Sequence, residues 1–223
     1  MNFTVCLADQ RSEEWRHARC GRLTGSRAAD MLATIKSGEA AARRDLRMQL
    51  VCERLTGQPQ DDVFVNAAMQ RGIDCEPLAF AAYESLTGQV VHRSGFLSLS
   101  DYQMGCSLDG HVDDFVGILE CKCPKSATHL QYLKDGTVPK AHLPQITHNL
   151  YVTGAEYCDF FSWDDRFPTP LQTFLVRVNR ADVDLKDYET KALAFLLEVQ
   201  RDYDAIRTMT DLTTVLEETV NAL

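Results

Sequence analysis

The sequence predicts an α/β (α+β) protein with a central mixed β-sheet flanked by helices. Three observations lead there. Helical periodicity dominates the first third of the chain, short alternating apolar runs cluster in the middle, and a helix pair then separates that cluster from two further strands. Helices that precede, interrupt and close a set of strands can cover both faces of a sheet. The 223 residues are 45% hydrophobic and 25% charged, enough for one sizeable core. A single domain over 1–209 is expected, followed by an acidic and flexible tail at 210–223.

Taken in order, a basic stretch at Arg16–Arg22 lies between Trp15 and Leu23, and Leu23-Thr24-Gly25-Ser26 leads into the helix formers of 27–33. Ser26 reads as the N-cap of that helix, with Thr24 and Gly25 leaving an open approach where backbone N–H groups favour an anion. Residues 40–55 carry Leu46, Leu50, Val51 and Leu55 on one stripe and end at Gly57, which predicts a helix. A loop over 58–65 follows. The next helical stretch, 66–86, contains Gly72 and Pro77, so it either kinks or restarts near Asp74. Strands are expected at 90–93, at 95–99, before Asp109 and along the apolar run 116–123. Helices are expected at 126–135 and 142–153, the second closed by Gly154. Tyr157–Trp163 and Thr173–Val178 alternate as strands. A long amphipathic helix over about 181–208 completes the fold.

Charge and cysteine usage narrow the function classes. The net charge is −9, but residues 11–48 hold nine Arg or Lys against five acids, whereas 181–223 hold four against ten. A polyanion would meet a local basic surface on an acidic protein. The eight cysteines form no C-x-x-C pair and sit mostly in apolar segments, as expected of reduced, buried thiols. Cys121-Lys122-Cys123 is a weak zinc signal. No apolar run is long enough for a transmembrane helix, and the first residues lack the pattern of a signal peptide. A soluble, cytoplasmic protein is therefore expected.

The most informative stretch is Ser107-Leu108-Asp109-Gly110, followed after a polar hairpin-like segment by Glu120-Cys121-Lys122-Cys123-Pro124. Strand side chains alternate, so Glu120 and Lys122 project to one face. An acid and a base on a half-buried face are costly unless paired or liganded. A hairpin would bring Asp109 beside them. Two carboxylates and a lysine at one point suit a hard divalent cation and a polarised water.

These residues resemble the core of the phage lambda-type exonucleases, the YqaJ-like viral recombinase and alkaline exonuclease family, within the restriction-endonuclease-like PD-(D/E)XK class. The resemblance extends to Trp15-Arg16-x-x-Arg19-x-Gly21-x-Leu23-Thr24-Gly25-Ser26, to Gly72-x-x-x-Glu76, and to Gln145-Ile146 with Tyr151-Val152-Thr153-Gly154. In order, the four blocks cover about residues 12–165.

The resemblance implies a processive 5′→3′ exodeoxyribonuclease. Such an enzyme digests one strand of linear duplex DNA to 5′-mononucleotides and leaves a 3′ single-stranded overhang for recombination. It implies two Mg²⁺ ions, with Mn²⁺ as a substitute. Asp109 would bridge both ions, Glu120 and the Cys121 carbonyl would complete one, and Glu76 would support the other. Lys122 would hold or deprotonate the attacking water. Arg19, Thr24, Ser26 and Ser107 would form a 5′-phosphate pocket. A homotrimeric ring, a single-strand annealing protein as partner and a phage or prophage origin in a bacterial host are implied in the same way.

Two positions depart from the family pattern. Leu108 stands where many relatives have Pro. The Gln-x-x-x-Tyr spacing of the wider class is absent, because Thr147 lies four before Tyr151; this leaves open whether Gln145, or His148 one turn later, serves the site. The alternatives are an endonuclease of the same fold, an iron–sulfur nuclease (disfavoured, since no cysteine follows Cys158) and a non-catalytic DNA-end-binding module.

Overall fold

The computed structural model describes residues 3–60, 67–99 and 101–221; side chains at 67–69 and from 210 onward lie outside the description. The expected loop at 58–65 falls mostly outside it, as do the side chains of the 210–223 tail.

The chain begins with strand β1 (Phe3–Cys6) and helix α1 (Glu13–Arg19), whose first turn is capped by Ser12 accepting from the Trp15 N–H. Strand β2 (Leu23–Thr24) leads into a 3₁₀ turn at Gly25–Arg27 and the four-residue helix α2 (Ala28–Met31). The expected helix over 27–33 is thus much shorter, and Ser26 lies inside the turn and is no N-cap. The backbone of Arg27, at φ −104° and ψ 1°, separates the turn from α2. A four-residue helix offers no useful dipole to an anion.

Helices α3 (Ala41–Thr56) and α4 (Ala67–Thr87) follow. α4 runs as one helix through Gly72 and Pro77, so no fresh helix starts near Asp74. Its buried face, Cys75, Ala79, Phe80 and Tyr83, packs on a cluster with Val112, Leu119, Phe161 and Trp163, and that burial outweighs the missing Pro77 donor. Residues 90–93 form no strand; only His92 bridges to His111.

Among the described residues, the strands fall into two four-stranded mixed sheets. In the first, β1, β3 (Phe96–Leu99), β4 (Met104–Ser107) and β2 lie in that order, with β2 parallel to β4 so that Thr24 sits beside Gly105. In the second the order is β5 (Gly110–Val112), β6 (Gly117–Lys122), β7 (Tyr157–Trp163) and β8 (Thr173–Asn179). β5 and β6 form a hairpin, whose turn places Asp113, Asp114 and Phe115 at positive φ. Phe115 stacks on His111 at 3.8 Å, which holds the turn closed.

Helices α5 (Ser126–Asp135) and α6 (Leu143–Thr153) occupy the β6–β7 crossover, and α6 ends at Gly154 in the left-handed conformation that glycine tolerates. The last helix, α7 (Leu185–Asn221), packs on α3. There Arg43 bonds Glu198 through both terminal nitrogens, at 2.7 and 3.1 Å, and Arg47 pairs with Asp202. The main core runs between the first sheet, α3, α6 and α7. α6 buries Ile146 and the run His148–Thr153, and it packs on strands of both sheets.

Candidate active site

The site forms where the two sheets meet. Asp109 occupies the step from β4 to β5, and Glu120 and Lys122 lie on β6. The Asp109 Oδ2 accepts a hydrogen bond from the Cys121 N–H at 2.7 Å, which pins the carboxylate between Glu120 and Lys122. The Lys122 Nζ lies 3.6 Å from Asp109 Oδ2 and in direct contact with Glu120 Oε1. Gln145, on α6, donates from Nε2 to Glu120 Oε2 at 2.9 Å. The sequence left Gln145 open; its side chain reaches the catalytic candidate directly.

Burial dominates the electrostatics. Glu120 is only 1% exposed, and desolvation pushes its pKa up to about 7; Lys122 opposes that shift and Asp109 adds to it. Burial works against the Lys122 ammonium too, but Asp109 and Glu120 outweigh it and raise its pKa. Lys122 therefore stays charged as the counterion of two crowded carboxylates. The two Glu120 oxygens are thus held separately, Oε1 by the Lys122 ammonium and Oε2 by Gln145.

Glu76, on α4, lines the same open cleft of about 430 Å³ with Asp109, Lys122, Tyr132 and His142. Burial, followed by the Asp109 charge, raises its pKa. Its carboxylate pairs with Arg93 at 3.6 Å and does not join the Asp109–Glu120–Lys122 trio. Among the described residues, no three His, Cys, Asp or Glu side chains converge closely enough to hold an ion unaided.

His142 and Arg93 were missed from the sequence. His142 opens α6 and meets Tyr132, which contacts its Nε2 at 3.3 Å; burial and then Lys122 press its pKa down to about 4. Its signal was only a histidine at a helix start. His148, the other open candidate, belongs to the core. It is fully buried, bonded to the Gly105 carbonyl at 2.9 Å and to the Tyr188 hydroxyl. It faces away from solvent and does not approach the cleft, because α6 turns that position toward β4 and α7.

The four residues expected to bind a phosphate fall in two groups. The Arg19 guanidinium stacks on Trp15 at 4.1 Å, and the Trp15 Nε1–H donates to the Ser107 hydroxyl at 3.0 Å. The Thr24 and Ser26 hydroxyls lie 3.4 Å apart. Arg19 and Thr24 share a small cleft with Arg16, Arg22 and Arg27. Among the described residues no two cysteines form a disulfide.

Comparison with known proteins places this geometry. The alkaline exonuclease LHK-Exo from Laribacter hongkongensis superimposes with a TM-score of 0.81 at 36% identity, covering 91% of this chain and 100% of that one. The same protein in complex with dAMP gives 0.80 at 37% identity, covering 90% and 100%. A phage-related exonuclease from Haemophilus somnus 129PT shares the fold, at 0.62 and 12% identity over 87% of this chain and 99% of that one. No curated protein matches the sequence. These neighbours establish the restriction-endonuclease-like fold that the motif order suggested. The profile of the YqaJ-like viral recombinase domain matches residues 14–156, more than half of the chain and all of the trio above, and the chain belongs to that family.

Proposed function

We propose that this protein is a metal-dependent exodeoxyribonuclease. On this reading it digests one strand of linear duplex DNA from the 5′ end, processively, and releases 5′-mononucleotides. The observation that carries this is the convergence of Asp109, Glu120 and Lys122, with Glu120 held by Gln145. The likeness to an alkaline exonuclease solved with dAMP, itself a mononucleotide, supports the product class.

The residues fit a divalent cation. Glu120 presents a buried carboxylate, its Oε1 paired with the Lys122 ammonium, toward the side where Asp109 lies. Mg²⁺ favours one or two carboxylates and keeps several waters, so Asp109, Glu120 and the Cys121 carbonyl form a suitable hard donor set. Glu76 stands across the cleft to support a second ion, directly or through water. Bound Mg²⁺ or Mn²⁺ would supply Lewis-acid stabilisation of charge building on the phosphate oxygens and a more acidic water.

The protein's own groups do the rest. Lys122 holds the attacking water by hydrogen bonding and favours its hydroxide form through its charge in a half-enclosed site. Gln145 keeps Glu120 in one orientation, so no reorganisation is needed during reaction. Arg19, Thr24, Ser26 and Ser107 would bind the terminal 5′-phosphate, setting polarity and drawing the next phosphate forward after each cut. A homotrimeric ring would line its channel with the basic 11–48 region and turn the acidic 181–223 region outward. A single-strand annealing protein would take up the 3′ overhang.

A digestion time course on linear duplexes that differ only in which 5′ end bears phosphate tests the reading. Mononucleotide release from the phosphorylated strand, abolished by EDTA and restored by Mg²⁺ or Mn²⁺, is expected. Intact linear duplex would refute exonuclease activity, and cutting of closed circular DNA would favour an endonuclease.

A further inference from the structure

Helix α6 reaches both halves of the site from one face. Gln145 and Asn149 are one helical turn apart, so their side chains lie side by side. Gln145 holds Glu120. Asn149 points at the Thr24–Ser26 turn: a Cβ built on Gly25 would lie 2.3 Å from its Oδ1 and 3.5 Å from the Gln145 Cγ. Gly25 is not in the left-handed region, so glycine is required here by close approach and not by backbone conformation.

Asn149 is only 2% exposed, yet its Oδ1 has no hydrogen-bond partner. An amide oxygen left unsatisfied in the core is costly and calls for an explanation. The neighbouring residue, His148, ties α6 to the Gly105 carbonyl, and Gly105 is the β4 partner of Thr24. The turn is therefore gripped from the strand side by β4 and from the helix side by Asn149.

We propose that α6 couples recognition of the DNA end to catalysis, with Asn149 as the positioning residue. Gln145 and Asn149 set a fixed separation between the Glu120 carboxylate and the Thr24 and Ser26 hydroxyls. An end seated on that turn is thereby placed in register with the reacting centre. This rests on the exonuclease reading, because it assigns the turn to the terminal phosphate.

The test compares wild type with Gly25→Ala, Asn149→Ala and the double variant. It reads the ratio of initial rates on 5′-phosphorylated and 5′-hydroxyl duplex, with thermal melting to confirm folding. Gly25→Ala pushes the turn away from α6 and should lower the ratio about tenfold or more, as displacements of this kind do. Asn149→Ala should lower it as well. In the double variant the lost amide makes room for the new methyl, and the ratio should recover relative to Gly25→Ala. A merely structural role would slow both substrates alike and leave the ratio unmoved, which would overturn the proposal. Affinity for the two duplexes in EDTA gives a second readout that needs no cleavage. A wild type that cleaves nothing refutes the exonuclease reading. An Asn149→Ala variant that loses preference for phosphorylated ends in that binding assay then still supports Asn149 as the residue that positions the Thr24–Ser26 turn, and an unchanged binding preference overturns that role.

Discussion

Asp109 secures a strand through the Cys121 N–H and, on the proposed function, also holds the metal; two substitutions separate these roles. Its Oδ2 accepts the Cys121 N–H at 2.7 Å and lies 3.6 Å from the Lys122 ammonium. In Asp109→Ala the Cys121 donor, on a buried strand, loses its partner. Leaving such a group unsatisfied costs about 1–3 kcal/mol. Some of that is returned, because Asp109 is one of the charges that hold the Glu120 pKa up near 7, and its removal relieves that repulsion. A net loss of about 2 kcal/mol is expected. Asp109→Asn keeps an acceptor oxygen and relieves the same repulsion, so its loss should stay below about 1 kcal/mol. Both variants remove the proposed metal ligand and should lower cleavage of linear duplex by ~10²-fold or more. Urea unfolding at pH 7 in EDTA, beside a nuclease assay with Mg²⁺, measures both quantities. Equal destabilisation by Asn and Ala would show that the Cys121 bond is not what Asp109 contributes to the fold. Near-normal cleavage by Asp109→Asn would remove Asp109 from the chemistry.

Other perturbations probe separate parts of the structure. Burial depresses the His148 pKa to about 4 from an ordinary value of 6.5. The unfolded chain therefore binds the extra proton first, and stability present above pH 6.5 is lost as pH falls toward 4, by up to ~3 kcal/mol. His148→Leu should be less stable throughout but flatter in that window when melting is followed against pH; an equally steep profile would assign the acid sensitivity elsewhere. A Cβ at Gly105 would lie 2.2 Å from the Phe96 Cζ and 2.5 Å from the Leu97 carbonyl oxygen, so Gly105→Ala should cost about 3 kcal/mol in denaturant unfolding by prying β3 from β4. Glu76→Gln should reduce the cleavage rate while changing stability by less than about 1 kcal/mol, since burial already disfavours its charge; unchanged turnover would exclude Glu76 from the site.

The strand pair around Asp109, Glu120 and Lys122 was legible in the sequence because a period of two forces residues 120 and 122 to one face, and a hairpin returns the chain to its start. The helices at 41–56, 126–135 and 143–153 were legible for a similar reason, since apolar stripes and closing glycines are local signals. Local signals misled where packing overruled them. Pro77 suggests a break, but the buried face of α4 carries the helix through. Ser26 suggests a cap, but the close approach of α6 to Gly25 leaves only a 3₁₀ turn and four helical residues.

The acids, the base and their alternation were fixed by covalent order alone, and with them the family to which the chain belongs. Tertiary structure decided which of two residues one turn apart on α6 reaches Glu120. Gln145 reaches Glu120 while His148 sinks into the core, because the rotation of a helix is set by the surfaces it packs against. It also decided that Glu76 pairs with Arg93, and that Trp15 joins Arg19 to Ser107. Those contacts join residues far apart along the chain, and no periodicity within a single segment encodes how separate segments meet.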